Sequence, residues 1–170
     1  MSPRIKFLLA LPVALALVTF ARAEIKVGDP FPALAPAGVV AISGAALPAT
    51  DGQVVLVDFW ASWCAPCKAS FPSLAKIHTD LAPRGLVLLA ISIDEKPSAA
   101  AAFAKKLAPP FATLHDREQK LVKAVVVPTM PTSYLVDRTG KVRFVHDGFH
   151  GAATEKLLRS QIESLLAEKK

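Results

Sequence analysis

The sequence predicts an α/β domain in which helices cover a mixed β-sheet. Two apolar, β-rich runs, Val54–Ala61 and Leu86–Ile93, are typical of strands that are buried on both faces. The run Ala65–Leu81 between them predicts a helix, and strand, helix and strand at this spacing form a parallel, right-handed βαβ unit. Further along, Thr132–Val136 and Val142–Val145 flank a Gly-containing loop, which predicts an antiparallel hairpin. Parallel and antiparallel pairs together make the predicted sheet mixed.

Proline and glycine mark the first half of the domain. Residues 24–36 are Pro-rich and predict an extended lead-in, and Gly38–Ser43 predicts a short strand. A turn is expected at Asp51-Gly52, just before the first buried strand. Pro66 falls in the first turn of the predicted first helix, where its missing N–H does no harm, and Pro72 is expected to kink that helix.

The second half alternates helices with short strands. Ser98 is the expected N-cap of an Ala-rich helix that ends at Leu107. A short strand at Phe111–Leu114 and a short helix at Glu118–Val125 follow. The last helix covers about residues 152–168, and its apolar face is formed by Leu158, Ile162, Leu165 and Leu166.

The first 23 residues predict a secretory signal peptide. Arg4 and Lys6 precede an apolar run of 14 residues, and Ala21-Arg22-Ala23 has small residues at the two positions that a signal peptidase recognises. We therefore expect an exported, periplasmic protein that is cleaved after Ala23. An uncleaved membrane anchor is the alternative, although a spanning helix needs about 20 apolar residues.

The charge pattern does not indicate nucleic-acid binding. The chain has 170 residues and a formal net charge of +6. Removal of residues 1–23, which contain Arg4, Lys6 and Arg22 and no acid, lowers this charge to +3. The remaining charges are scattered along the chain. We expect residues 24–170 to form one domain with a sizeable core, monomeric and without a nucleic-acid partner.

The chain has two cysteines, Cys64 and Cys67, between the first buried strand and the first helix. A structural disulfide across so short a loop contributes only about 2 kcal/mol before strain, and a core of this size does not need it. Cys64 precedes the first helical turn, where free N–H groups and the positive helix end favour a thiolate. Cys67 lies one turn inside. This asymmetry predicts that Cys64 attacks a target disulfide and that Cys67 then releases the target by attacking Cys64.

The stretch VDFWASWCAPCK, from Val57 to Lys68, closely resembles the thioredoxin active-site sequence, and the resemblance extends to Pro72. More narrowly, the chain is similar to the exported TlpA/ResA-type thiol-disulfide oxidoreductases. These proteins add an N-terminal β-hairpin and a central helix–strand insertion to the thioredoxin fold. Residues 38–53 and 98–116 lie where the two additions would fall. The resemblance implies a thioredoxin-like fold with both additions and a redox-active Cys64–Cys67 disulfide, with no cofactor and no metal.

A second match to that family is a proline directly before a predicted strand. In thioredoxin-like folds this proline is cis and faces the dithiol, so the resemblance assigns the role to Pro131, with Pro128 as the competing candidate. The backbone of Met130 would then pair with a bound client chain. Trp63 is expected to act as a lid beside the dithiol, and Trp60 to pack in the core. The expected substrate-binding residues are Trp63, Ala65, Pro66, Met130 and Pro131.

Asp58 lies six residues before Cys64 in an otherwise apolar strand, where burial should raise its pKa. In thioredoxin the matching acid serves proton transfer at the buried cysteine, so we expect Asp58 to help deprotonate Cys67. The alternative is a structural carboxylate that is satisfied by a lysine or a backbone N–H. ResA-type sequences often carry Glu three residues after the second cysteine, where this chain has Ser70. Substrate preferences of that subgroup therefore do not carry over.

A metal site, of copper or zinc, and a thiol peroxidase are the other interpretations of the same cysteines. Copper(I) can be held by two thiolates, so a copper-binding module stays open. Zinc would need two further ligands from the four histidines, which we expect to lie on the surface. A thiol peroxidase of related fold would carry Thr three residues before the attacking cysteine, where this chain has Ala61.

The direction of electron flow depends on redox potentials, which the sequence does not give. The resemblance favours a reductase that a membrane electron donor keeps reduced. Its expected clients are apocytochrome c or copper-site cysteines in oxidase assembly. A protein-disulfide oxidant is the alternative.

Overall fold

The computed structural model describes residues 24–169, so the predicted signal peptide lies outside the described residues. A mixed sheet of six strands, in the order β1-β4-β3-β2-β5-β6, carries four α-helices. The strands are β1 (Val39–Ala41), β2 (Val54–Trp60), β3 (Leu86–Ser92), β4 (Ala112–Asp116), β5 (Thr132–Val136) and β6 (Val142–Asp147). The helices are α1 (Ala65–Leu81), α2 (Pro97–Leu107), α3 (Lys120–Val125) and α4 (Ala152–Ala167), with a 3₁₀ turn at Ala82–Arg84 after α1.

The strand pairing confirms the predicted mixed sheet. β2 pairs with β3 in parallel, as a βαβ unit requires, and β3 pairs with β4 in parallel. β5 runs antiparallel to both β2 and β6, so the predicted hairpin is present and lies on the other side of β2. Every residue of β2 is buried, because this strand is flanked by β3 and β5 and covered on both faces.

Alternation along β2 divides the core into two layers. Leu56 and Trp60 face a cluster that includes Cys67 and Phe71 of α1 together with residues of α4. Val55, Val57 and Phe59 alternate with them and face a second cluster, which α3 and the N-terminal lead-in cover. The residue at position 58 therefore shares a face with Leu56 and Trp60, and this face is the one that α1 covers.

The additions to the thioredoxin fold are only partly as predicted. α2 and β4 form the expected helix–strand insertion. The expected N-terminal β-hairpin is wrong in detail, because within residues 24–169 this region contributes the single strand β1, which pairs antiparallel with β4. Pro30 adds one isolated bridge to Lys141. The lead-in cannot form a continuous strand pair because its prolines have no N–H to donate.

The start of α2 differs from the prediction, whereas the two prolines of α1 lie where the sequence predicts them. Pro66 lies in the first turn of α1 and Pro72 inside that helix, as predicted. The N-cap of α2 is Lys96 and not Ser98. Pro97 occupies the first turn of α2, where its fixed backbone dihedral suits a helix start, and this moves the start ahead of Ser98.

Among residues 24–169, no helix combines the length and the apolar character that crossing a bilayer requires.

Candidate functional site

Cys64 and Cys67 form a disulfide at the start of α1, with their Cα atoms 5.3 Å apart. Cys64 is the N-cap of the helix, and its sulfur accepts a hydrogen bond of 3.2 Å from the backbone N–H of Cys67. The sulfur of Cys64 therefore lies at the positive end of the helix, where a thiolate is stabilised.

The two cysteines differ in access to solvent. Cys64 is 5% exposed, whereas Cys67 is 0% exposed and packs against the core beneath α1. Ala65 and Pro66 between them are both exposed. Cys64 therefore keeps a small exposed fraction beside the exposed Ala65-Pro66 turn, whereas Cys67 has none.

The peptide bond between Met130 and Pro131 is cis, as predicted. Met130 is half-buried and packs against the core cluster that contains both cysteines, whereas Pro131 is buried. The carbonyl oxygen of Pro131 accepts a hydrogen bond of 2.7 Å from the backbone N–H of Gly148. The competing candidate Pro128 is exposed, and its peptide bond is not among the cis bonds of the described residues.

The two tryptophans have opposite environments. Trp63 is 67% exposed directly before Cys64, whereas Trp60 is fully buried against Phe71 and Phe103. A shallow groove of about 450 Å³ begins beside Trp63 and runs between the active-site loop and the start of α2, where Lys96 and Ala99 line it. The Trp63 side chain is thus open to solvent beside Cys64, whereas the Trp60 side chain is part of the core.

The loop before Cys64 is held by Asp94, which the sequence did not single out. The carboxylate of Asp94 accepts hydrogen bonds from the Ser62 N–H at 2.9 Å and the Ser62 hydroxyl at 2.7 Å. It also accepts from the Ser92 hydroxyl at 2.8 Å. The carbonyl oxygen of Asp94 accepts from Nε2 of His115 at 2.8 Å. The β3–α2 connection therefore fixes the loop that presents Trp63.

Asp58 lies on β2 and is only 1% exposed. Its Oδ1 accepts a hydrogen bond of 2.7 Å from the Ser133 hydroxyl, whereas its Oδ2 has no partner. Burial raises the pKa of Asp58 to about 7, and the Ser133 hydrogen bond opposes part of that rise. The alternative prediction of a lysine or backbone N–H partner is wrong for the described residues. A buried carboxyl with a pKa near neutrality and one free oxygen is suited to proton transfer.

The histidines do not form a metal site with the cysteines. Among residues 24–169, no group of three or more His, Cys, Asp or Glu side chains is arranged to hold a metal ion. The expectation that the histidines lie on the surface is wrong for His115, which is buried. His146 binds the side-chain oxygen of Gln161 through Nε2 at 2.6 Å.

A separate cavity of about 410 Å³ lies at the opposite end of the central sheet. Val55, near the start of β2, forms part of its wall together with Phe31 and Arg138. Arg138 is already engaged with three carbonyl oxygens at the end of α4. Because the cysteines follow the other end of β2, this cavity is not part of the dithiol site.

The fold and the cysteine pair define a thioredoxin-fold protein with a dithiol at a helix N-terminus. Residues 27–145 match the AhpC/TSA family, and the chain belongs to that family. It is similar to the thiol-disulfide oxidoreductase ResA of Geobacillus thermodenitrificans, with 27% identity over 114 residues. That match covers 67% of this chain and 64% of the relative. ResA of Bacillus subtilis is 31% identical over 91 residues, 54% of this chain and 51% of the relative. The chain thus matches between about half and two thirds of the length of these relatives.

Solved structures confirm the predicted thioredoxin-like fold. A crystal structure assigned as the thiol:disulfide interchange protein DsbE from Chlorobium tepidum superposes with a TM-score of 0.76 and 33% identity. It is matched over 85% of this chain and 100% of that one. StoA from Bacillus subtilis, at 24% identity and a TM-score of 0.61, covers 72% of this chain and 94% of its own, and shows the fold alone.

Proposed function

We propose that this protein is an exported thiol-disulfide oxidoreductase that reduces disulfides in client proteins. The observation that carries the proposal is the cysteine pair itself, with Cys64 slightly exposed at the helix N-terminus and Cys67 fully buried one turn inside. Such a pair performs exchange in two ordered steps. The relatives that are named thiol-disulfide oxidoreductases support the same chemistry.

In the first step, the reduced protein attacks its client. The Cys64 thiolate attacks one sulfur of the client disulfide, and a mixed disulfide forms between Cys64 and the client. The client S–S bond breaks, and its second sulfur leaves with the electron pair as a thiolate that takes a proton from water. In this proposal the client chain lies against Trp63, which is exposed, and pairs with the backbone of Met130 before the cis Met130–Pro131 bond.

In the second step, the client is released. The Cys67 thiol gives its proton to the carboxylate of Asp58, and the resulting thiolate attacks the sulfur of Cys64. The bond between Cys64 and the client breaks, and the client leaves with both electrons, now fully reduced. The protein is left with the Cys64–Cys67 disulfide, which is the state in the structure. Two electrons from a membrane electron donor then break this disulfide, and the proton held by Asp58 returns to Cys67, which restores the Cys64 thiolate and the Cys67 thiol.

The position of Ala61 favours exchange over peroxide reduction, because the related peroxidases would have a hydroxyl three residues before the attacking cysteine. Export is supported by the charged start, apolar run and small-residue cleavage pattern of residues 1–23. In this proposal the clients are apocytochrome c or copper-site cysteines, reduced outside the cytoplasm.

The test is covalent capture of the client in the native host. In Cys67→Ser the second step is blocked, so we expect a mixed disulfide between Cys64 and the client to accumulate, and mass spectrometry identifies the client after reduction. The matched control is the double variant in which Cys64 and Cys67 are both Ser, which should capture nothing. Recovery of no reducible adduct with Cys67→Ser would contradict the exchange mechanism.

A further inference from the structure

Ser133 is the residue opposite Asp58 in the β2–β5 pair, although it lies 75 positions away in the sequence. Residues that face each other across a strand pair point to the same side of the sheet, so both side chains lie beneath α1. The hydroxyl of Ser133 donates to Oδ1 of Asp58 at 2.7 Å, and both residues are buried. Ser133 also follows Pro131 by two residues, so its hydrogen bond connects Asp58 to the segment that is proposed to bind the client.

The Ser133 hydrogen bond makes the two carboxyl oxygens of Asp58 different. Oδ1 is occupied by a donor in the charged and in the neutral state, so an added proton goes to Oδ2. Oδ2 is buried and has no partner. In the oxidised state of the structure, Cys67 carries no S–H that could donate to it. Oδ2 is therefore the oxygen that is free to exchange a proton when Cys67 is a thiol.

Among the described residues, Ser133 is the only hydrogen-bond partner of the Asp58 carboxylate. β3 presents Ala90 at the facing position, and α1 presents Cys67 in the cluster on this side of the sheet. On β6, His146 faces Ser133 and is bound to Gln161 of α4. No ion pair involves Asp58 in residues 24–169.

We propose that Ser133 is a positioning residue for the release step, holding Oδ1 of Asp58 so that the proton of Cys67 is taken up at Oδ2. The inference rests on the proposed function, in which Asp58 is the base for Cys67. A hydrogen bond to a carboxylate is stronger than one to the neutral acid, so the same hydroxyl keeps the pKa of Asp58 lower than burial alone would set it.

The experiment compares Ser133→Ala with the wild type in two measurements. The first is a ¹³C NMR titration of the Asp58 carboxyl in the reduced protein. The second is the rate at which Cys67 resolves a mixed disulfide between Cys64 and a model thiol, measured against pH. We expect both midpoints to rise by about one pH unit in Ser133→Ala, with the rate about tenfold lower below the midpoint.

A matched pair separates the hydroxyl from packing. Ser133→Thr keeps the hydroxyl and should retain the wild-type midpoint. In Ser133→Val the side chain has nearly the volume of threonine but no hydroxyl, so the midpoint should shift upward. His146→Gln is the control for the neighbouring titratable group and should leave the midpoint unchanged. A midpoint that stays in Ser133→Ala and Ser133→Val, or that moves in His146→Gln, overturns the inference.

A further measurement keeps the inference testable if the Ser133 variants fail to fold, because it changes no residue at position 133. In the infrared difference between wild type and Asp58→Asn, the protonated Asp58 should show the lowered carbonyl frequency of a hydrogen-bonded acid, and the frequency of a free acid overturns the inference. The proposed function is tested separately from the role of Ser133. Disulfide exchange that does not depend on Cys64 would contradict the proposed function, whatever the Asp58 titration shows. Cys64-dependent exchange with an unchanged midpoint removes only the role of Ser133.

Discussion

Two buried aspartates beside the dithiol, Asp58 and Asp94, differ in how well their carboxylates are hydrogen-bonded. They are 1% and 3% exposed, so burial does not distinguish them. Asp94 accepts three hydrogen bonds from Ser62 and Ser92, and both of its oxygens are occupied. Asp58 accepts one, and its second oxygen has no partner. A buried carboxylate with all its bonds made is a structural anchor, whereas one that lacks a bond is available for proton exchange.

The variant Asp58→Asn tests most directly whether Asp58, unlike Asp94, takes part in proton transfer. Asn cannot take the proton of Cys67, so we expect resolution of the mixed disulfide to slow by about 100-fold at pH 7, within the usual range for general base catalysis. The wild-type rate should rise through the pKa of about 7, and the variant should lose this step in its pH profile. Stopped-flow measurement of thiol release gives both quantities.

Asp94→Asn is the matched control for that kinetic experiment. It changes a carboxylate of equal burial that makes no proton transfer in the proposed mechanism. Its pH profile should keep the step near pH 7. Loss of the step in Asp94→Asn, or its persistence in Asp58→Asn, would assign the titration to another group.

The next effect is on stability, and its sign follows from the raised pKa of Asp58. The folded protein holds this proton up to about pH 7, whereas the unfolded chain releases it near 3.8. Stability is therefore lost as the pH rises from about 4 to 7, because ionisation is unfavourable only in the folded state. Asp58→Asn should remove this dependence, so its stabilising effect should be larger at pH 8 than at pH 5, by on the order of 2 to 3 kcal/mol.

Urea unfolding of the oxidised protein at the two pH values measures this difference. The oxidised state is chosen because neither cysteine titrates in it. An equal effect of Asp58→Asn at pH 5 and pH 8 would show that Asp58 is ionised across the whole range.

The smallest effects concern the loop that Asp94 holds. Asp94→Ala leaves the Ser62 N–H without its acceptor and should cost about 1 to 3 kcal/mol of stability. Ser62→Ala removes only the side-chain bond to Asp94, so we expect a loss of about 1 kcal/mol. Hydrogen exchange at the Ser62 and Trp63 amides should become faster in Asp94→Ala than in Ser62→Ala. Equal exchange in both variants would mean that Asp94 does not fix the loop.

Local sequence was sufficient to predict the helices and strands and the position of the Cys64–Cys67 pair. The apolar run of β2, the helix that begins after Cys64 and the hairpin of β5 and β6 were all predicted within one or two residues. Each depends on signals between neighbouring residues, such as an unbroken β-rich run or Pro66 in a first turn. The cis bond before Pro131 was predicted from family resemblance and is confirmed.

Features that depend on contacts between distant parts of the sequence were not predicted. The burial of His115 was missed because a single histidine in a short, weakly apolar run has no local sign of its environment. The N-terminal hairpin was wrong in detail because edge pairing depends on which strand is left free, here β4, which accepts β1.

Short-range signals in the sequence specify the order of strands and helices, the place of Cys64 at a helix start and the presence of an acid in a buried strand. These properties depend on backbone propensity and on apolar periodicity over a few residues. Which hydrogen-bond donors reach that acid, and which reach Asp94, depends on how the strands pair and pack in three dimensions. The register of β2 against β5 brings Ser133 to Asp58, and the β3–α2 connection brings Asp94 to Ser62. Such contacts join residues 75 and 32 positions apart, and they exist only once the sheet has formed.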